Sequence, residues 1–113
     1  MTLEDYFATG PPHERPIFEA VLRHVERVGP VFVEPVSVGI FLKRAGGFCE
    51  LRPKDRWVAV SFTLRRQVRH RCIKRKVIAY NGKYWHVANV AAAEDLDDEL
   101  LGYLTEAYQL APA

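Results

Sequence analysis

Asn81-Gly82 stands between two runs rich in aromatic and β-branched residues, Lys76 to Tyr80 and Lys83 to Val87. This pair restricts the fold more tightly than any other stretch of the chain. A two-residue loop of this composition closes a β-hairpin through a type I′ turn, whose central residues both need φ > 0, a region that Asn and Gly enter at least cost. Loop length then sets the register. Tyr80 is expected opposite Lys83, Ile78 opposite Trp85 and Lys76 opposite Val87 on one face, with Ala79 against Tyr84 and Val77 against His86 on the other.

Upstream of the hairpin the chain reads as short strands. Val31 to Pro35 is a first, Val36 to Lys43 a second by its alternation, Phe48 to Arg52 a third and Trp57 to Leu64 a fourth. In the fourth, Val58, Val60, Phe62 and Leu64 share one apolar face while Ala59, Ser61 and Thr63 take the other, so one side of the sheet is meant to be covered. Short connections favour an antiparallel meander of five to six strands.

Helical periodicity frames the sheet. Phe18, Val21, Leu22, Val25 and Val28 recur at three and four between Pro12 and Val28, with Pro16 in the first turn and Gly29-Pro30 as the stop. Leu96, Leu100, Tyr103, Leu104 and Ala107 do the same near the C-terminus, behind the acids Glu94 to Glu99, which favour a helix N-terminus. No capping side chain stands at the expected start near Ala92. Thr2 to Asp5 opens one helical turn within a lead-in over residues 1–12. The fold expected is α+β, an antiparallel sheet flanked by an N-terminal and a C-terminal helix packed on one face, in a single domain over 1–113. Its core is expected from Phe18, Leu22, Val25, Val38, Ile40, Val58, Val60, Phe62, Leu96, Leu100 and Leu104.

Charge is distributed unevenly. The twelve residues Arg65 to Lys76 hold seven Lys or Arg and no acid, whereas the net charge of the whole chain is +2. Everything outside that run is therefore net negative, and from Tyr84 onward there are acids but no Lys or Arg. The molecule is polarised. No apolar run approaches the ~20 residues of a membrane span, and the start Met1-Thr2-Leu3-Glu4-Asp5 lacks the apolar region of a signal peptide. A cytoplasmic location and no membrane partner are the resulting expectations. Cys49 and Cys72 make no metal or disulfide pattern and are expected as reduced thiols.

Candidate sites follow from the charge. Arg65, Arg66, Arg69, Arg71, Lys74, Arg75 and Lys76 are suited to track a phosphate backbone, with Trp85 as a stacking platform. The competing reading is a solvated loop that balances the acidic last helix. Tyr84 and His86, on one hairpin face, suggest a pocket for a small molecule or an anion, although no nucleophile or second carboxylate stands at a catalytic spacing. Cys72, between Arg71 and Lys74-Arg75, sits where a thiolate is favoured. His13, His24 and His70 share no metal spacing, the acids from Glu94 to Glu99 lack the turn of a calcium loop, and no cofactor motif is present.

A set of motifs resembles a family of small bacterial domains known only as a domain of unknown function, standing alone or appended to larger proteins, some with nuclease-like parts. The motifs span nearly the whole chain: Gly10-Pro11-Pro12, Val28-Gly29-Pro30-Val31, Val33-Glu34-Pro35, Phe48, Arg65-Arg66, Tyr84 with His86, Leu96 to Leu101, and Glu106-Ala107-Tyr108. Where the family pattern has a Lys, this chain has Ser37, which removes a cation from that position. The resemblance implies one domain and no activity. A binding or accessory module, contacting nucleic acid, another polyanion or a protein partner, is favoured over an enzyme because no catalytic set is assembled.

Overall fold

Thr2 and Asp5 cap each other: the Asp5 N–H donates to the Thr2 hydroxyl at 3.0 Å and the Asp5 carboxylate accepts from the Thr2 N–H. Behind this capping box forms α1 (Leu3–Phe7). The computed structural model describes residues 1–112. In α2 (Glu14–Val28) the apolar stripe Ile17, Phe18, Val21 and Val25 is buried. The helix stops at Gly29, where an added Cβ would collide with the Tyr108 hydroxyl. That hydroxyl donates to the Pro30 carbonyl at 2.9 Å and ties the end of α2 to the C-terminal helix.

Six strands follow: β1 (Phe32–Val36), β2 (Gly39–Lys43), β3 (Gly47–Pro53), β4 (Val58–Leu64), β5 (Ile78–Tyr80) and β6 (Lys83–Val90). They form one sheet in the order β1-β2-β3-β4-β6-β5, with every pairing antiparallel. The first four run as a meander. The hairpin then adds with its second strand inward, so β6 lies beside β4 and β5 takes the edge. A 3₁₀ turn (Ala93–Asp95) leads to α3 (Asp98–Leu110).

Both long helices cover one face of this sheet. Ile40, Leu42, Leu51, Val60, Phe62 and Leu64 from the strands meet Ile17, Val21 and Val25 of α2 and Leu100 and Leu104 of α3 in a single buried cluster. The expected core is present except at two positions. Leu22 is only partly buried. Val38 is 55% exposed, because Ser37 and Val38 form the turn between β1 and β2, where Val36 already pairs with Gly39. The alternation that the sequence begins at Val36 starts in fact at Ile40.

Two other local expectations are corrected. The last helix begins at Asp98, not near Ala92, and it does have a cap: Asp97 accepts the Leu100 N–H at 2.9 Å. Asp95 caps the preceding 3₁₀ turn by accepting from the N–H groups of Ala91 and Ala92. The hairpin register holds for Tyr80–Lys83, Ala79–Tyr84 and Ile78–Trp85, with Asn81 and Gly82 both at positive φ. It does not extend to Val77–His86 and Lys76–Val87. There the chain shifts by two residues. Ile73 bridges Ala88, the Lys74 N–H donates to the Val87 carbonyl at 2.8 Å, and the Asn89 N–H donates to the Cys72 carbonyl at 2.8 Å. Arg75, Lys76 and Val77 bulge out between the two pairings, as an interrupted ladder requires.

Candidate functional site

Two apolar residues anchor the basic connection. Val68 and Ile73 are buried, and the Val68 N–H donates to His86 Nε2 at 3.1 Å. Burying these two in a run otherwise polar turns the connection into a loop laid along β6. The charged side chains between them are held outward, and they fall into two groups.

The first group is tied to the acids of the C-terminal segment. Arg66 makes a two-pronged contact with Glu106, at 3.1 and 2.8 Å. Arg71 donates to Asp95 at 3.1 Å. His70 Nε2 lies 2.9 Å from both oxygens of Asp97, while its Nδ1 accepts the Cys72 N–H at 3.0 Å. An accepting Nδ1 leaves the proton on Nε2, aimed at the carboxylate. These contacts hold the acids below their ordinary range: the Arg71 bond does so for Asp95, the Leu100 N–H and then His70 for Asp97, and the Arg66 bond for Glu106.

The second group is Arg65, Arg69, Lys74, Arg75 and Lys76. All are exposed, and among the described residues none has a carboxylate within 4.0 Å. Arg69, Lys74 and Arg75 line a depression of about 660 Å³ together with the Arg71–Asp95 pair, Cys72 and Asn89. Lys76 stands beside it in the bulge. Arg65 is not brought to this place: it borders a separate depression with Lys83, Leu110 and Pro112. The seven cations of the sequence motif are thus not one surface. Two are held by acids, one stands apart, and four remain unneutralised around the loop.

The hairpin faces divide at consecutive residues. Trp85 points to the uncovered side of the sheet and is 37% exposed, with Ile78 across from it. His86 points to the helices and is 0% exposed. Its ring stacks on Phe62, centroids 5.2 Å apart and planes within 10°. Burial pushes the His86 pKa down. The ring is therefore neutral, with the proton on Nδ1, since Nε2 accepts from Val68. That Nδ1 has no hydrogen-bond partner among the described residues. Among the described residues, none of the depressions named above is lined by Tyr84 and His86 together, and the His86 ring is closed from solvent.

The basic neighbours of Cys72 do not dominate its environment. Burial raises its pKa, and the nearby Asp95 and Asp97 add to this, against the lowering by Arg71. Cys49, in the core, is pushed up to about 12 by the same desolvation.

The family model for the domain of unknown function DUF5655 matches residues 3–111. The chain belongs to the DUF5655 family. No similar curated protein and no similar solved structure was found. A DUF5655 match over this span takes in every element from α1 to α3, the basic loop included.

Sequence reasoning missed two features of this DUF5655 domain. Glu14 is buried and accepts a hydrogen bond from the Tyr6 hydroxyl, fastening α1 to α2. Burial raises its pKa, with the Tyr6 bond opposing. The signal was its place on the stripe, three and four residues before Ile17 and Phe18. The second is Trp57, which by the alternation of β4 belongs with Ala59 and Ser61 on the uncovered face. No helix of the structure is long and apolar enough to cross a membrane.

Proposed function

We propose that this domain is a small binding module that holds polyanions, without sequence preference, through Arg69, Lys74, Arg75 and Lys76 around the loop depression. One observation carries the reading: the acids of the C-terminal segment neutralise Arg66 and Arg71 and leave these four cations without a carboxylate. Had the run served only to balance the acidic helix, the pairing would have extended to them. Cations gathered on a loop anchored at Val68 and Ile73 keep their like charges close at a standing cost, which a bound polyanion relieves. Cation release from phosphates supplies the affinity, and it makes the affinity fall with salt.

The test is a labelled oligonucleotide titrated between about 50 and 200 mM salt. Four phosphate contacts give a slope of log K against log[salt] of about −3 to −4. Changing Arg69, Lys74, Arg75 and Lys76 together to Ser should abolish binding at the lower salt. Changing Arg66 to Ala should leave it intact, because that guanidinium is already committed to Glu106. Absence of binding by the native chain, or full retention by the fourfold variant, overturns the reading.

A further inference from the structure

The uncovered face of the sheet carries the two tryptophans of the chain, Trp57 and Trp85. Each is 37% exposed. Cross-strand register places Glu50 beside Ser61 and Val87, Arg52 beside Ala59 and Asn89, and Thr63 beside Trp85. At ~3.3 Å per residue the two tryptophan positions lie about 20 Å apart along the strands. Both rings border one shallow depression of about 380 Å³, floored by Ala59, Ser61 and Val87. Ala59 and Ser61 are nearly closed from solvent, and each tryptophan keeps 37% of its surface open beside them.

Charge runs along the same face. Lys74 and Asn89 border both this depression and the loop depression, so the two adjoin there. Arg52 and Lys54 border its far side. The one acid there, Glu50, is paired with Arg52. An aromatic platform edged by cations, with the hydroxyl of Ser61 and the amide of Asn89 between them, matches the chemistry of an unpaired nucleotide strand: bases to stack, phosphates to neutralise and base edges to hydrogen-bond.

We infer that this face binds single-stranded nucleic acid, with bases stacked on Trp85 and Trp57 and the backbone led from Lys74 toward Lys54. The inference rests on the polyanion reading above and narrows it. A duplex keeps its bases stacked on each other and offers the rings nothing, so it is left with the loop cations alone.

Intrinsic fluorescence tests this directly, since both tryptophans are at the site. A thymidine strand of about 12 nucleotides, added to the whole chain at about 50 mM salt, should quench the emission. A duplex of the same length should bind at least about tenfold more weakly and quench little. Trp57→Ala and Trp85→Ala should each weaken single-strand binding about tenfold while leaving duplex affinity unchanged. Trp85→Phe should recover most of the loss, and circular dichroism of each variant separates a lost platform from a lost fold. Equal affinity for duplex, full single-strand binding by both alanine variants, or equal quenching by a polyglutamate peptide overturns the platform. If the fourfold loop variant still loses binding in that case, the polyanion reading survives alone. No binding of any nucleic acid by the native chain overturns both.

Discussion

Trp85 and His86 are neighbours in sequence and opposites in the fold. His86 lies on the helix-covered face, stacked on Phe62 and closed from solvent, whereas Trp85 stands on the face that no helix covers. Down β4, Val58, Val60, Phe62 and Leu64 are fully buried in the core, while on the other side Thr63 is partly exposed and Ala59 and Ser61 keep 8% and 7% of their surface. One face of the sheet holds the molecule together, and the other, together with the loop at its edge, is left for contact. The difference teaches that large aromatic residues in this chain do different work according to strand parity alone.

The largest expected effect tests that contrast. Phe62→Ala should cost about 3–5 kcal/mol, the loss of transfer energy plus the cavity it leaves. Trp85→Ala should cost within about 1 kcal/mol, as suits a residue on an open face. Urea denaturation of both variants measures the gap. Equal losses would show that the uncovered face is as structural as the covered one.

A second prediction sharpens the role of His86. His86→Phe keeps the stack on Phe62 but removes the acceptor of the Val68 N–H, which should cost about 1–3 kcal/mol. Amide exchange at Val68 should quicken more than exchange within α2. No change at Val68 would mean that the loop is held by Ile73 and the ladder alone.

The pH dependence follows from the same residue. The folded-state pKa of His86 is lowered, so below the ordinary ~6.5 the unfolded chain binds the proton that the folded ring refuses. Its contribution is present above that pH and is lost as the pH falls toward the folded value. Native stability should therefore decline below about pH 6.5. The His86→Phe variant should lack this decline until the carboxylates titrate. A native profile flat from pH 7 to 5 would contradict the buried neutral ring.

The smallest effect belongs to the exposed ion pairs. Arg66→Ala should leave stability nearly unchanged, since the Glu106 pair is solvated and screened. Asp95, Asp97 and Glu106 all have lowered folded-state values. Their contribution is accordingly present above about pH 4, the ordinary carboxylate range, and is lost as the pH falls through the folded values. Thermal melts of the native and Arg66→Ala chains near pH 7 and pH 3 check both points. A larger loss at neutral pH would mean that the tie to α3 is structural rather than a local balance of charge.

Periodicity and turn chemistry determined much of this protein by themselves. Asn81-Gly82 specified a turn, its strand register and thus which residues share a face. The stripe from Phe18 to Val25 specified a buried helix face, and the alternation of β4 specified a covered sheet side. These are signals within a few residues, and local backbone geometry reads them directly. Tertiary structure decided the rest. Sequence could not choose which strand of the hairpin would lie beside β4, and that choice sent His86 inward and Trp85 outward. Nor could it divide seven similar cations into those held by Asp95 and Glu106 and those without a carboxylate, because the partners of Arg66 and Arg71 lie 40 and 24 residues away. Long-range pairing depends on where the helix and the loop meet in space. That meeting is set by the burial of Val68 and Ile73 against the core, not by any pattern of charge along the chain.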